Sequence, residues 1–229
     1  MSVRDSITPS SVARVTSLPA GMAITALAID DAPAVIDVIV EAFSTGQLDY
    51  EGNDEADFRD YLAYMCARCA ETGLGFVARC TQTNTVIGSV LCNDLVETFQ
   101  SELFQDDFTG DPMMGLLKQL NQRYFTSFDI APNTYLNVKF IGVDARFAGN
   151  GVAPALLQAV LAQGVAQHFT YAHTESAGRR SQYLFGKKMG FEDVATLNYA
   201  DYVFQGTTPF VPSEDHQSIQ LMIKALASI

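Results

Sequence analysis

Short apolar runs alternate with longer stretches of helical spacing along this chain, and their order predicts a layered α/β domain. Ile24–Ile29 reads as a first strand, and Asp30 or Asp31 then caps a helix with Pro33 in its first turn, running to about Phe43. Residues 44–53 are a polar loop, and Asp54 opens a second helix to about Glu71, ended by Thr72-Gly73. Gly75–Cys80 and Thr85–Cys92 flank Thr81-Gln82-Thr83-Asn84 as a β-hairpin. Residues 94–134 hold an acidic stretch and a helix from Pro112 to Phe125. Forty residues is long for a bare loop, so this segment is expected to be a helical insertion over the functional site. Tyr135–Val143 reads as the central strand, and Val152–Gln167 as a helix with Pro154 in its first turn. Phe169–Thr174 is a strand, Ser181–Met189 a helix, and Val194–Phe204 a strand; Ser218–Leu226 fits strand or helix. The expectation is a mixed sheet of about six to seven strands flanked by helices, with the insertion between the third and fourth strands.

At 229 residues, 48% hydrophobic and 17% charged, the chain suits one ordered domain over residues 21–229, preceded by a flexible Ser/Thr/Pro-rich arm over 1–20. No apolar run approaches the ~18 residues of a membrane span, and Met1–Asp5 lacks a signal-peptide core, so a cytoplasmic protein is expected. Cys66 and Cys69 lie on a helical pattern while Cys80 and Cys92 fall in separate strands; buried small side chains explain them better than a metal site, and no metal is expected. A net charge of −12 argues against nucleic acid or anionic membrane as a partner. A monomer and a homodimer are both compatible with the composition.

Charge distribution sharpens this picture. Residues 139–188 carry six basic residues (Lys139, Arg146, Arg179, Arg180, Lys187, Lys188) against Asp144 and Glu175, a +4 island in an otherwise acidic chain. Residues 30–60 hold ten acids and only Arg59. These are either solvated faces or the two poles of a protein that takes an anionic ligand at one end and a cationic one at the other.

The stretch 138–153 lies in the basic island. An apolar strand ends at Val143, and a loop with Arg146, Gly149 and Gly151 leads straight into a helix. Glycines let backbone pass close to a ligand, and the unpaired N–H groups of a helix start, with its dipole, favour pyrophosphate. It is not a Walker loop, since no Lys-Ser or Lys-Thr follows the second glycine. It is not a full dinucleotide fingerprint either: Pro154 replaces the third glycine, although Glu175 lies near the acidic position.

This Arg-x-x-Gly-x-Gly loop after a strand resembles the coenzyme A loop of the GNAT acyltransferase superfamily. Ser181–Phe191, a helix ending in a Lys-x-Gly-Phe turn, is similar to that superfamily's second hallmark. Asn198–Tyr202, Phe210, His216 and the tail Leu221–Leu226 resemble the arylalkylamine N-acetyltransferase branch. The resemblance implies acetyl transfer from acetyl-coenzyme A to a small primary amine, arylalkylamine-like or a polyamine, by direct attack on the thioester. A non-catalytic acyl-coenzyme A sensor on the same scaffold is the alternative. It also implies that the cofactor lies along Phe140, Ile141 and Val143 and over Arg146, Phe147, Ala148, Gly149, Asn150, Gly151 and Val152, near Lys187.

Two departures bear on catalysis. The superfamily's tyrosine before the Gly-Phe turn is Gly186 here, with Tyr183 nearly a turn away; the carboxylate expected after the first helix is replaced by Gly46 or Gln47, leaving Glu41, Asp49 and Glu51 nearby. The expected catalytic groups are therefore Glu41, Glu51 and Tyr183. Phe43, Asp49, Tyr50 and His216 are the expected acceptor contacts. His168 follows a helix, and His173 shares a strand face with Tyr171; no histidine forms a recognisable triad with Ser or Cys.

Overall fold

A computed structural model describes residues 21–44, 48–50, 54–101, 104 and 110–226. The arm expected over 1–20, and Gly46, Gln47 and Glu51, lie outside the described residues. The described elements are β1 (Met22–Ala26), α1 (Ala32–Ser44), β2 (Asp49–Tyr50), α2 (Glu55–Thr72), β3 (Gly75–Cys80), β4 (Val86–Asp94), α3 (Leu95–Gln100), α4 (Pro112–Gln122) and β5 (Tyr135–Val143). They continue with α5 (Val152–Ala166), β6 (Tyr171–Ser176), α6 (Arg179–Gln182, prolonged as a π-helix over Tyr183–Lys188), β7 (Glu192–Asn198), β8 (Phe210–Val211) and β9 (Ser218–Ala225).

Seven strands form one sheet in the order β1-β3-β4-β5-β6-β9-β7, with β5 and β6 its parallel pair; β2 and β8 make a separate two-stranded ladder. One face is covered by α5, whose Leu156, Leu157 and Val160 pack on Leu136 and Val138 of β5 and on Phe185 and Phe191. On the other face, α1 and α2 bury Ile39, Leu62 and Met65 against Val77 and Leu91. Beside them the expected insertion forms α3 and α4, whose Leu95, Phe99, Leu116 and Leu120 pack with Tyr199, Tyr202 and Leu221.

Local signals act where the sequence places them. The Asp54 carboxylate accepts the Ala56 N–H at 2.7 Å and starts α2; Gly73, at φ +72°, ends it. Asp111 does the same for α4 through Met113 N at 2.8 Å. Among the boundaries that differ from expectation, three change the course of the chain. The first strand stops at Ala26, and Ile29–Asp31 forms a 3-10 turn. β7 stops at Asn198 because the Tyr199 ring turns inward, fully buried, with its hydroxyl donating to Ala177 O at 2.8 Å. The expected helix over Ser181–Met189 is a short α-turn that widens into a π-helix, which sets Phe185 against Phe191 at 5.1 Å between ring centres. Ser218–Ala225, open between strand and helix in sequence, is a strand bonded on both edges.

Candidate active site

β5 and β6 begin side by side and then part. Their pairing runs only through Tyr135↔Tyr171, Leu136↔Ala172 and Asn137↔His173, while β5 continues to Val143 and β6 to Ser176. On its other edge β5 bulges, since Leu91 pairs with Phe140 but Cys92 with Val138, so Lys139 stands outside the ladder. The gap between the strands therefore opens beside the bulge.

A chain of buried polar side chains lines the helix-covered side of this fork. Asn137 Nδ2 donates to Asn93 Oδ1 at 3.0 Å and to Thr98 Oγ1 at 3.3 Å. The His173 ring spans Asn137 Oδ1 at 3.0 Å and Asn121 Oδ1 at 3.2 Å. Asn121, on α4, donates from Nδ2 to Leu117 O and to Glu175 Oε1, and its Oδ1 faces the His173 ring. Lys139 Nζ lies 3.7 Å from Glu175 Oε2, with side chains 11% and 9% exposed.

Burial lowers the His173 imidazole to about 4, holding it neutral at physiological pH; Glu175 opposes that shift and Lys139 adds to it. Burial also works against the Lys139 ammonium, but the Glu175 carboxylate and Tyr61 together outweigh it and Lys139 is raised above the usual lysine range. A depressed histidine gives stability that is complete above its unfolded value near 6.5 and is lost as pH falls toward 4. Between pH 7.5 and 4.5, urea unfolding of the wild type should lose ~2.5 kcal/mol more than that of His173→Gln. Parallel losses in the two proteins would mean that the ring titrates freely.

At the other end of β5, Asp144 turns the chain. Its carboxylate accepts the Arg146 N–H at 2.9 Å and clasps the Arg146 guanidinium, which lowers the Asp144 carboxyl below its usual range. Phe147, Ala148 and Asn150 continue the loop to Gly149 (φ +79°) and Gly151 (φ +78°), the residue that caps α5 ahead of Val152. A side chain placed at either glycine would meet no protein atom within 4 Å. The glycines thus stand at an open surface where ligand backbone approach, not protein packing, would be blocked, and the first α5 amides face the same end.

The remaining expected residues scatter. Phe43, 41% exposed, is brought to Phe140 at 5.7 Å between ring centres, with Phe58 and Tyr61 completing an aromatic group around Phe140. Asp49 and Tyr50 pair as β2 with Val211 and Phe210. Glu41 lies on the exposed side of α1, lining with Asp30, Asp31, Asp37, Asp144 and Arg146 a shallow cleft of about 430 Å³. Tyr183 is 57% exposed with the Lys188 ammonium 5.7 Å from its ring centre, and Lys187 is exposed nearby. His216 packs its ring beside Gly178, so it meets the start of α6.

The +4 island is largely paired within the protein: Lys139 with Glu175, Arg146 with Asp144, Arg179 with Glu214 and Arg180 with Asp215. Among the described residues, no group of three or more His, Cys, Asp or Glu is placed to hold a metal, and no helix is long and apolar enough to cross a membrane. Sequence reasoning missed Asn121 and the pairing of Lys139 with Glu175. The available signal was one carboxylate or ammonium in each strand, Lys139 in β5 and Glu175 in β6.

Residues 34–191 match the acetyltransferase (GNAT) family. The fold is similar to a polyamine N-acetyltransferase of Drosophila melanogaster that forms N-acetylagmatine (TM-score 0.73, 17% identity, 90% of this chain and 100% of that one). It is equally similar to a mosquito arylalkylamine N-acetyltransferase-like protein, 5b (TM-score 0.73, 18% identity, 90% and 100%). The C-terminal condensation domain of Ebony, solved with beta-alanyl-dopamine, aligns at TM-score 0.70 and 20% identity over 89% of this chain and 98% of that one.

Proposed function

Because the chain belongs to the GNAT acetyltransferase family, we propose that it transfers an acetyl group from acetyl-coenzyme A to a small primary amine. The observation that carries this reading is the pair of open glycines, Gly149 and Gly151, at the head of α5, one strand-length from the fork between β5 and β6. Arg146–Val152 and the first α5 amides would cradle the pyrophosphate, and the unpaired edge of β5 over Phe140, Ile141 and Val143 would hold the pantetheine arm by backbone hydrogen bonds. The thioester then ends at the fork, where the amine attacks it directly.

The acceptor we infer is a cationic amine with an apolar body. Phe43 and Phe140 offer an aromatic wall beside the fork, α4 of the insertion closes the same side, and the acids of α1, which line the cleft by Arg146 at the far end of β5, add to a net charge of −12 that draws a cation from a distance. The structural neighbours named for polyamines and arylalkylamines accord with such an acceptor. The four free cysteines suit a reducing, cytoplasmic setting.

A thiol-release assay with acetyl-coenzyme A across arylalkylamines, agmatine, diamines, polyamines and amino-terminal peptides tests the assignment. Turnover is expected with at least one cationic small amine, and the rate should fall as added salt shortens the screening length from ~10 Å at 0.1 M. Coenzyme A binding without thiol release from any amine would make the chain a sensor. A neutral or anionic acceptor preferred at every salt concentration would remove the acceptor assignment.

A further inference from the structure

The fork holds a buried ion pair that the fold does not require. A pair such as Lys139–Glu175 gives up the hydration of two charges, and packed apolar side chains of similar size commonly serve a core as well or better. Its position is specific. Asn137 and His173 are the last paired residues of β5 and β6, and Lys139 and Glu175 are the next positions on that face of each strand. The pair therefore bridges the first step of the gap.

Other buried or capping acids are committed elsewhere. Asp94 accepts the Val96 and Asn133 amides, Asp111 the Met113 amide and Asp144 the Arg146 amide, so each carboxylate is fixed by backbone. The bonds to Glu175 come from side chains instead. Asn121 holds Oε1, and His173 and the Leu117 carbonyl fix Asn121 in turn. Among the described residues, the Lys139 ammonium is the one partner of Oε2, at 3.7 Å, beyond hydrogen-bond length. One oxygen is anchored while the other retains accepting capacity. The charged and titratable groups around it are Lys139 from β5, His173 from β6 and Tyr61 from α2, which lies close enough to act on Lys139.

We propose that Glu175 is the base that takes the proton from the acceptor's ammonium, with Asn121 and Lys139 as its positioning residues. This inference rests on the acetyl-transfer reading above. The ammonium docks against Oε2 and gives it one proton. The freed nitrogen lone pair then forms the bond to the thioester carbonyl carbon, and the carbon–sulfur bond breaks with its electron pair leaving on sulfur. The attacking nitrogen's second proton goes to that sulfur, yielding amide and thiol, and Glu175 returns its proton to solvent. Lys139 stays protonated throughout.

Glu175→Gln keeps an acceptor for Asn121 and removes the charge. Its kcat/KM for the best amine of the panel should fall by about 100-fold or more, the scale of a lost general base, with the low-pH limb of the profile displaced. Calorimetric titration of that amine into the coenzyme A complex should show weaker binding, while coenzyme A itself binds as in the wild type. Since the single variant strands the Lys139 charge, the double variant Lys139→Met/Glu175→Gln is the control. Melting at wild-type temperature or above with activity still lost supports a base; restored activity would show that the pair is only structural and overturn the proposal. A single variant within threefold of wild type, with its pH profile unchanged, also overturns it and leaves the acetyltransferase reading standing. A wild-type chain that binds coenzyme A but turns over no amine brings down both.

Discussion

Aspartate at position 151 is expected to weaken coenzyme A binding by about 100-fold or more, equivalent to roughly 2.8 kcal/mol, while the protein stays folded. Gly151 caps α5 at φ +78°, a conformation that costs an ordinary residue about 1–2 kcal/mol. A new side chain there meets no protein atom within 4 Å, so the folded state suffers little beyond that strain. For the ligand the change is severe. The carboxylate fills the space that phosphate would take and sets a negative charge at a helix start whose dipole otherwise attracts one. Calorimetry with coenzyme A measures the loss, and urea melts report the fold. Gly151→Ala separates the causes, since it brings strain and bulk without charge and should lose less. If Gly151→Asp binds coenzyme A as the wild type does, the cradle lies elsewhere.

Phe99→Ala should cost about 3–5 kcal/mol of unfolding free energy, the usual scale for emptying a large buried site. Phe99 is fully buried on α3, and its ring lies 4.9, 5.2 and 4.7 Å from those of Phe104, Phe125 and Phe128, so it joins distant parts of the insertion. Coenzyme A binding to surviving folded protein should be near normal, because α5 and its loop pack on the opposite sheet face. Amine turnover should suffer more, since Asn121 hangs from the same insertion. A loss below 1 kcal/mol in urea unfolding would show that the cluster collapses around the cavity or contributes little. Equal losses of coenzyme A and amine binding would remove the insertion's special place on the acceptor side.

Most of the fold was legible because periodicity is a local property. The hairpin of β3 and β4, the caps at Asp54 and Gly73, and the strand–loop–helix from Tyr135 to Gln167 all follow from residues within one turn of each other. Boundaries slipped where a distant partner decides them. Tyr199 leaves its strand for a hydroxyl acceptor 22 residues away, and Phe185 and Phe191 meet because the π-helix widens. The glycine loop was readable for the same local reason. The acids were not. Glu41 and Tyr183, named from sequence, lie at the surface, while Glu175 meets Lys139 only because two strands 36 residues apart run parallel and then separate. Charge counting could not show that four members of the basic island have acidic partners within the protein, in three cases from other segments of the chain.

The strand order sets a condition on how the chain is made. β9 follows β7 in the chain but lies between β6 and β7, bonded to both. While the nascent polypeptide leaves the ribosome, β7 is free before any neighbour for it exists, and β6 presents an open edge until residues 218–225 arrive. Open edges at that stage invite pairing with other chains. Five strands can assemble as they emerge, but the sheet closes by late insertion of a strand whose pairs with β6 span about 50 residues, a slow, long-range step. A pause in synthesis between β7 and β9 would therefore prolong the exposure of both edges, and a chaperone acting there would guard a two-sided slot in the sheet.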